Sequence, residues 1–352
     1  MRKRYCTPRR GDSCFAVRPP HARPGTLGNA SGSQDVTWGM LTIHPLLQAA
    51  EDRITASGLA LEYAGFLAYF GIFGALGFRW LVLLRTSAHQ PADTTAGGAV
   101  TSSLQTAEVG TARIGLIGAL FMLANLVMAI ARRAAEKGVS FTDVISASGP
   151  RIAVPIGFAF LFLLSFAVAM KRVRAAWTIA ALAGVAFALR NITSGNWAAL
   201  VNPLHEVAAS LWIGTLFVLV VAGLPAILRG STSTEQRGTL VADMVGNFSP
   251  VAIGASLLLV ITGVTTAWRH LKFVAALWTT PYGYALDIKL CLVAVVVALG
   301  AWNWRRMRPR LGTESAAHQL RTSATRELTF AALVLVVTGV LVSLPSPRLP
   351  HP

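Results

Sequence analysis

The chain has 352 residues, of which 54% are hydrophobic and only 13% charged, with a mean hydropathy of +0.56. Soluble domains carry about 25% charged residues, so these values exclude a water-soluble globular protein and indicate an integral membrane one. The net charge of +16 does not point to nucleic acid, because the basic residues gather at the ends of apolar runs, as topology signals and anionic-lipid contacts do.

Residues 1–39 hold seven Lys and Arg, several prolines and no apolar core. They form neither a secretory signal, which needs an apolar stretch of about 7–15 residues, nor a domain. A more ordinary membrane-protein start, MLTIHPLLQAAEDRITASG, begins at Met40. We expect translation to start there and residues 1–39 to be a mis-annotated leader, with a disordered basic tail as the alternative. Eight apolar runs follow, near 58–84, 111–131, 152–170, 175–190, 203–228, 248–268, 284–304 and 328–346. A helix needs about 20 residues to span a bilayer, and the fourth run is short, ending at polar Asn191, Thr193 and Ser194. No alternation of the barrel type appears, so the expected fold is all-α, a polytopic bundle of about eight transmembrane helices. It divides into a four-span region over 40–200, a second over 201–347, and a tail over 348–352.

The first, third, fifth and seventh connections carry twelve Lys and Arg and the second, fourth and sixth carry six. The positive-inside rule then places the odd connections in the cytoplasm and both termini outside. Cys6, Cys14 and Cys291 include no CxxC pair and imply no disulfide framework.

The fifth run, NPLHEVAASLWIGTLFVLVVAGLPAILR from Asn202, carries His205 and Glu206 at its entrance and Trp212 seven residues on. Two helical turns put His205 and Trp212 on one face. An ionisable pair at the mouth of an apolar span is a functional candidate; the alternative is a histidine anchored in the headgroup region. His270 ends the sixth run and His44 precedes the first, both on the same side as His205. Lys289 lies one turn inside the seventh span, either snorkelling to the interface or pairing within the bundle with Glu62 at a compatible depth. Cys291 is a core residue or a soft ligand. Glu327 opens the last span, where an acid at a helix start is favoured by the macrodipole, or else it marks the exit of a cation path.

Four pieces in order, LHEVAASLWIG, NFSPVAIGASLLLVITGVTTAWRHL, TTPYGYALDIKLCLVAVVVALGAWNWRRMRP and RELTFAALVLVVTGVLVSLPSP, resemble the copper resistance protein D (CopD) family over residues 200–347. The resemblance implies a bacterial inner-membrane permease that moves copper from periplasm to cytoplasm. It also implies a small periplasmic copper-binding partner of the CopC type. The metal ligands are then sought at His205, Glu206, His270 and His44, with Glu62, Trp212, Lys289, Cys291 and Glu327 along the path or as structural charges. Imidazole suits copper, and softer sulfur ligands suit Cu(I). Two alternatives remain: an assembly factor that hands copper to a cuproenzyme, and a haem-binding electron carrier, which needs facing imidazoles at matched depth. No G-x-S-x-G elbow, HExxH motif or phosphate-binding loop is present, so no enzymatic activity is expected.

Overall fold

The computed structural model describes residues 56–88, 95–190, 192, 197–271, 273–307 and 314–344. The leader, the C-terminal tail and His44 lie outside the described residues. Among those described there is no strand. The helices are α1 (Ser57–Ala88), α2 (Thr95–Lys137), the short α3 (Phe141–Ser148), α4 (Pro150–Ala169) and α5 (Arg174–Leu189). They continue with α6 (Ala198–Leu228), α7 (Thr234–His270), the one-turn α8 (Ala276–Thr279), α9 (Pro281–Met307) and α10 (Glu314–Ser343). Seven are long and apolar enough to cross a membrane, and the fourth apolar run is α5, a 16-residue helix. At 1.5 Å per residue α5 reaches about 24 Å, short of a bilayer core of about 30 Å. The chain is therefore a multi-pass all-α membrane protein.

Local chemistry sets several helix ends. Ser140 and Asp143 form a reciprocal capping box at the start of α3, and Ser233 with Gln236 forms one at the start of α7. Gly149, at φ 49°, turns the chain from α3 into α4, whose first residue is Pro150; that backbone favours glycine, and proline suits the first helical turn.

Three helices begin well before the apolar runs that predict them. The sixteen residues ahead of 111, and the fourteen ahead of each of 248 and 328, are helical too. Their polar side chains hide these turns from a hydropathy reading, yet several are buried against protein rather than solvated. Ser103 and Thr111 bond back to the carbonyls of Ala99 and Ala107. Arg79 of α1 donates to Glu108 of α2 at 3.0 Å, with both side chains largely buried, and lies over the Trp177 ring at 5.7 Å. Truncating one partner of a buried pair strands the other charge. Glu108→Ala is thus expected to cost about 3 kcal/mol, read as a clear fall in the thermal midpoint of the detergent-purified protein. An unchanged midpoint would mean that water screens the pair.

Lipid supplies no hydrophobic force between helices, so close backbone approach does much of the holding. α1 sits at the centre of that packing. A Cβ on its Gly74 would lie 2.5 Å from the carbonyl carbon of Gly214 in α6, and one on Gly71 would lie 2.7 Å from the Cα of Gly118 in α2. Turns at or after these contacts are widened to π geometry, at Phe78–Leu83 in α1 and at Ser210–Gly214 and Leu219–Gly223 in α6. A π turn holds one extra residue and is often retained near a functional site.

One core joins α1, α2, α6 and α7 through Phe78, Leu219, Leu224 and Met244, and reaches Ala324 of α10. It crosses the 200/201 position at which the sequence suggests a division. A second core, rich in rings (Phe162, Phe166, Trp177, Phe187), joins α1, α2, α4 and α5.

Candidate functional site

The starts of α1, α6 and α9 and the ends of α5, α7 and α10 share one side of the bundle, here the near side; the opposite side is the far side. A polar layer crosses the near half. His205 and Glu206 are consecutive on α6, so their side chains diverge by about 100° and enter different surroundings.

His205 turns toward α7 and α9. Its Nδ1 lies 2.9 Å from Thr262 Oγ1, and Thr262 is buried. The Thr262 hydroxyl donates its proton to Leu258 O at 2.7 Å. With its proton directed to Leu258 O, the oxygen accepts from Nδ1–H in the tautomer whose Nε2 keeps its lone pair, and Leu259 O also lies within hydrogen-bonding reach of the imidazole. Gly263 adds room beside the ring, since a Cβ there would stand 3.4 Å from His205 Cε1. Lys289 of α9 is near enough for its charge to act on the imidazole. The α6–α7 pair is clasped above this point by Arg269 donating to Ala198 O at 3.0 Å and Thr266 donating to Asn202 at 3.4 Å.

Glu206 turns toward α1 and α5. The Tyr69 hydroxyl is within hydrogen-bonding reach of Glu206 and of Arg190, and the charges of Arg190 and Glu62 both act on the carboxylate. Arg190 follows the last residue of α5, where Nη1 donates to Phe187 O at 2.6 Å and the guanidinium lies 4.0 Å over the Phe187 ring. Position 190 reads as the end of an apolar run in sequence. Only the packing shows it as the cation of this layer.

The other expected site residues are dispersed. His270 Nδ1 donates to Thr266 O at 2.9 Å and its ring stacks on Tyr282. It lies eight residues beyond Thr262, about 12 Å further along α7, so among the described residues no second imidazole faces His205 at matched depth, as a bis-histidine haem would need. Glu62 is exposed, and the charge of Lys289 acts on His205. Cys291 is exposed on the bundle's outer surface rather than in the core. Trp212 borders a cavity further along α6 and packs near Ile213, Val296 and Ala331. Glu327 does not open its helix: α10 begins thirteen residues earlier, at Glu314, so the dipole of that terminus is not what holds it. It is buried, accepts a hydrogen bond from the Asn303 amide, and Ser323 donates to the same Asn303. Among the described residues no three of His, Cys, Asp and Glu converge on a point.

Sequence reading misses Thr262, Tyr69, Arg190 and Asn303. Threonines and tyrosines are common in spans, and their roles here exist only through partners on other helices.

The family model for copper resistance protein D matches residues 242–341. The chain is also 29% identical over 157 residues to the copper transport protein CutJ of Bacillus subtilis (strain 168), an alignment covering 44% of this chain. That alignment covers 26%, about a quarter, of the relative's length. No solved structure matches. The matched segment supplies Thr262, Lys289, Asn303 and Glu327, the partners and far-side groups just described. Over that segment, running from α7 into α10, the chain is similar to the copper resistance protein D (CopD) family.

Proposed function

We propose that this protein is a copper permease of the bacterial inner membrane, taking copper ions as its transported substrate from periplasm to cytoplasm with His205 as the principal near-side ligand. The observation that carries this reading is the threonine-locked imidazole. On this reading His205 Nδ1–H is held by a hydroxyl whose own proton goes to Leu258 O, the tautomer whose Nε2 lone pair can bind a metal. A hydrogen-bonded partner that fixes tautomer and ring orientation is what metal-ligating histidines ordinarily have. The near side is the periplasmic one on the Lys and Arg distribution, and both termini lie there. His270 is the further near-side donor among the described residues, nearer the surface than His205. A periplasmic copper-binding partner of the CopC type would deliver the ion to that side. Release of copper to a cuproenzyme would use the same site.

A resident ammonium beside the ligand fits transient holding better than storage. Lys289→Met is expected to tighten copper binding by roughly tenfold, since a nearby unit charge at a partly buried site is worth about 1–2 kcal/mol. Equilibrium dialysis with Cu(I) on the purified variant measures this, and unaltered affinity would place the bound ion away from Lys289. The permease reading itself is tested by copper content in cells expressing the chain together with a CopC-type protein. Several-fold more copper than in the vector control is expected; equal copper at verified membrane abundance would refute import.

A further inference from the structure

The far half of the bundle holds a cavity of about 540 Å³ between α6, α7, α9 and α10, within the roughly 300–1,000 Å³ of small-molecule sites. Its walls are mainly carbon and include the rings of Trp212, Phe248 and Trp304. Glu327, 8% exposed, is the one charged residue that lines it among the described residues. Asn303 donates to Glu327 Oε1, while Oε2 faces Gly300, where even an added Cβ would stand 3.6 Å away. The carboxylate therefore offers an acceptor into a mainly apolar space. Three lining residues, Ile253 (66% exposed), Val297 (46%) and Trp304 (44%), also belong to the outer surface. The cavity thus opens sideways, between α7 and α9, toward the lipid.

We infer that this cavity is a binding site for a membrane-dissolved isoprenoid quinol, with its flat head among Trp212, Phe248 and Trp304, a ring hydroxyl donating to Glu327, and its tail leaving between α7 and α9. Each feature selects against other occupants. Among the described residues a bare metal ion would find a single carboxylate, with only the neutral Asn303, Ser249 and Ser256 beside it on mainly carbon walls, and burying a charge with so few partners is costly. A phospholipid head would bring a phosphate into a cavity that no cation lines among the described residues. An acyl chain would fit the walls but would leave Glu327 without a use. A neutral ring with a hydroxyl donor satisfies both the walls and the acceptor, and rings prefer offset or edgewise contact with other rings.

The test uses the full chain in phosphatidylcholine nanodiscs with decyl-ubiquinol, kept anaerobic and copper-free, so its outcome is independent of the copper reading. Quinol retained above protein-free nanodiscs is expected to saturate near one per chain. Glu327→Ala and, separately, Ala252→Leu, which fills the cavity from α7, are each expected to weaken retention at least tenfold. Retention no greater than in protein-free nanodiscs would overturn the inference, as would retention indifferent to both variants. Loss with Ala252→Leu but not with Glu327→Ala would show a plain apolar chain as occupant and overturn the assignment of the head group. Monodisperse Ala252→Leu protein keeps the test valid if Glu327→Ala does not fold.

Discussion

His205→Ala is expected to weaken Cu(I) binding to the purified protein by at least 100-fold and to return the copper content of expressing cells to the vector level. The loss is direct, because Ala removes the Nε2 lone pair that the Thr262 contact leaves available. The fold should survive. Thr262 keeps its bond to Leu258 O without the imidazole, so no buried donor is orphaned, and the remaining cost is that of a cavity, about 2 kcal/mol. Thr262→Val is the informative companion. It retains the ligand but frees its tautomer and orientation, and loss of such a partner usually costs about 10–100-fold in metal affinity. The predicted order is wild type, then Thr262→Val, then His205→Ala, measured by competition with a chromophoric Cu(I) chelator. Wild-type affinity in His205→Ala would remove His205 from the site.

The second large effect is structural. Gly74→Leu is expected to leave little folded protein. Even its Cβ would sit 2.5 Å from the Gly214 carbonyl carbon, and the opposing Cβ on Gly214 would sit 2.7 Å from Phe70 O. The obstruction is backbone on both sides, so no rotamer change relieves it and α1 must separate from α6. Overpacking that side chains can absorb costs about 1–3 kcal/mol; here we expect more, because the separation also disturbs the core formed by Phe78, Leu219 and Leu224. Gly254→Leu on α7, where a Cβ meets nothing within 4 Å, is the control and should be recovered like wild type. Size-exclusion profiles of both variants after mild detergent extraction decide the matter. Equal monodisperse recovery would show that the α1–α6 approach is looser than its geometry implies.

Both predictions depend on partners that are remote in sequence, and that marks what was legible before the structure. The bilayer imposes a length and an apolar composition on each crossing helix, so the all-α, multi-pass class follows from composition and run length. The same logic singles out His205, Glu206, Lys289 and Glu327, because an ionisable group in or near an apolar span stands out whatever surrounds it. It fails for the helical extensions before 111, 248 and 328, and in the first of these burial against protein replaces apolarity, as Ser103 and Glu108 show. It also assigns Glu327 to a helix start that lies a further thirteen residues back, at Glu314.

The sequence by itself thus determined the membrane class, the approximate spans and the list of unusual charges, since those depend on the solvent that each residue meets. The tertiary structure alone decided the pairings: Thr262 with His205, Tyr69 and Arg190 with Glu206, Asn303 with Glu327, and Gly74 against Gly214. A hydrogen bond or a backbone contact is a relation between two helices, fixed by how their faces rotate and approach. The three π turns in α1 and α6 shift that rotation in a way that no regular helical period encodes.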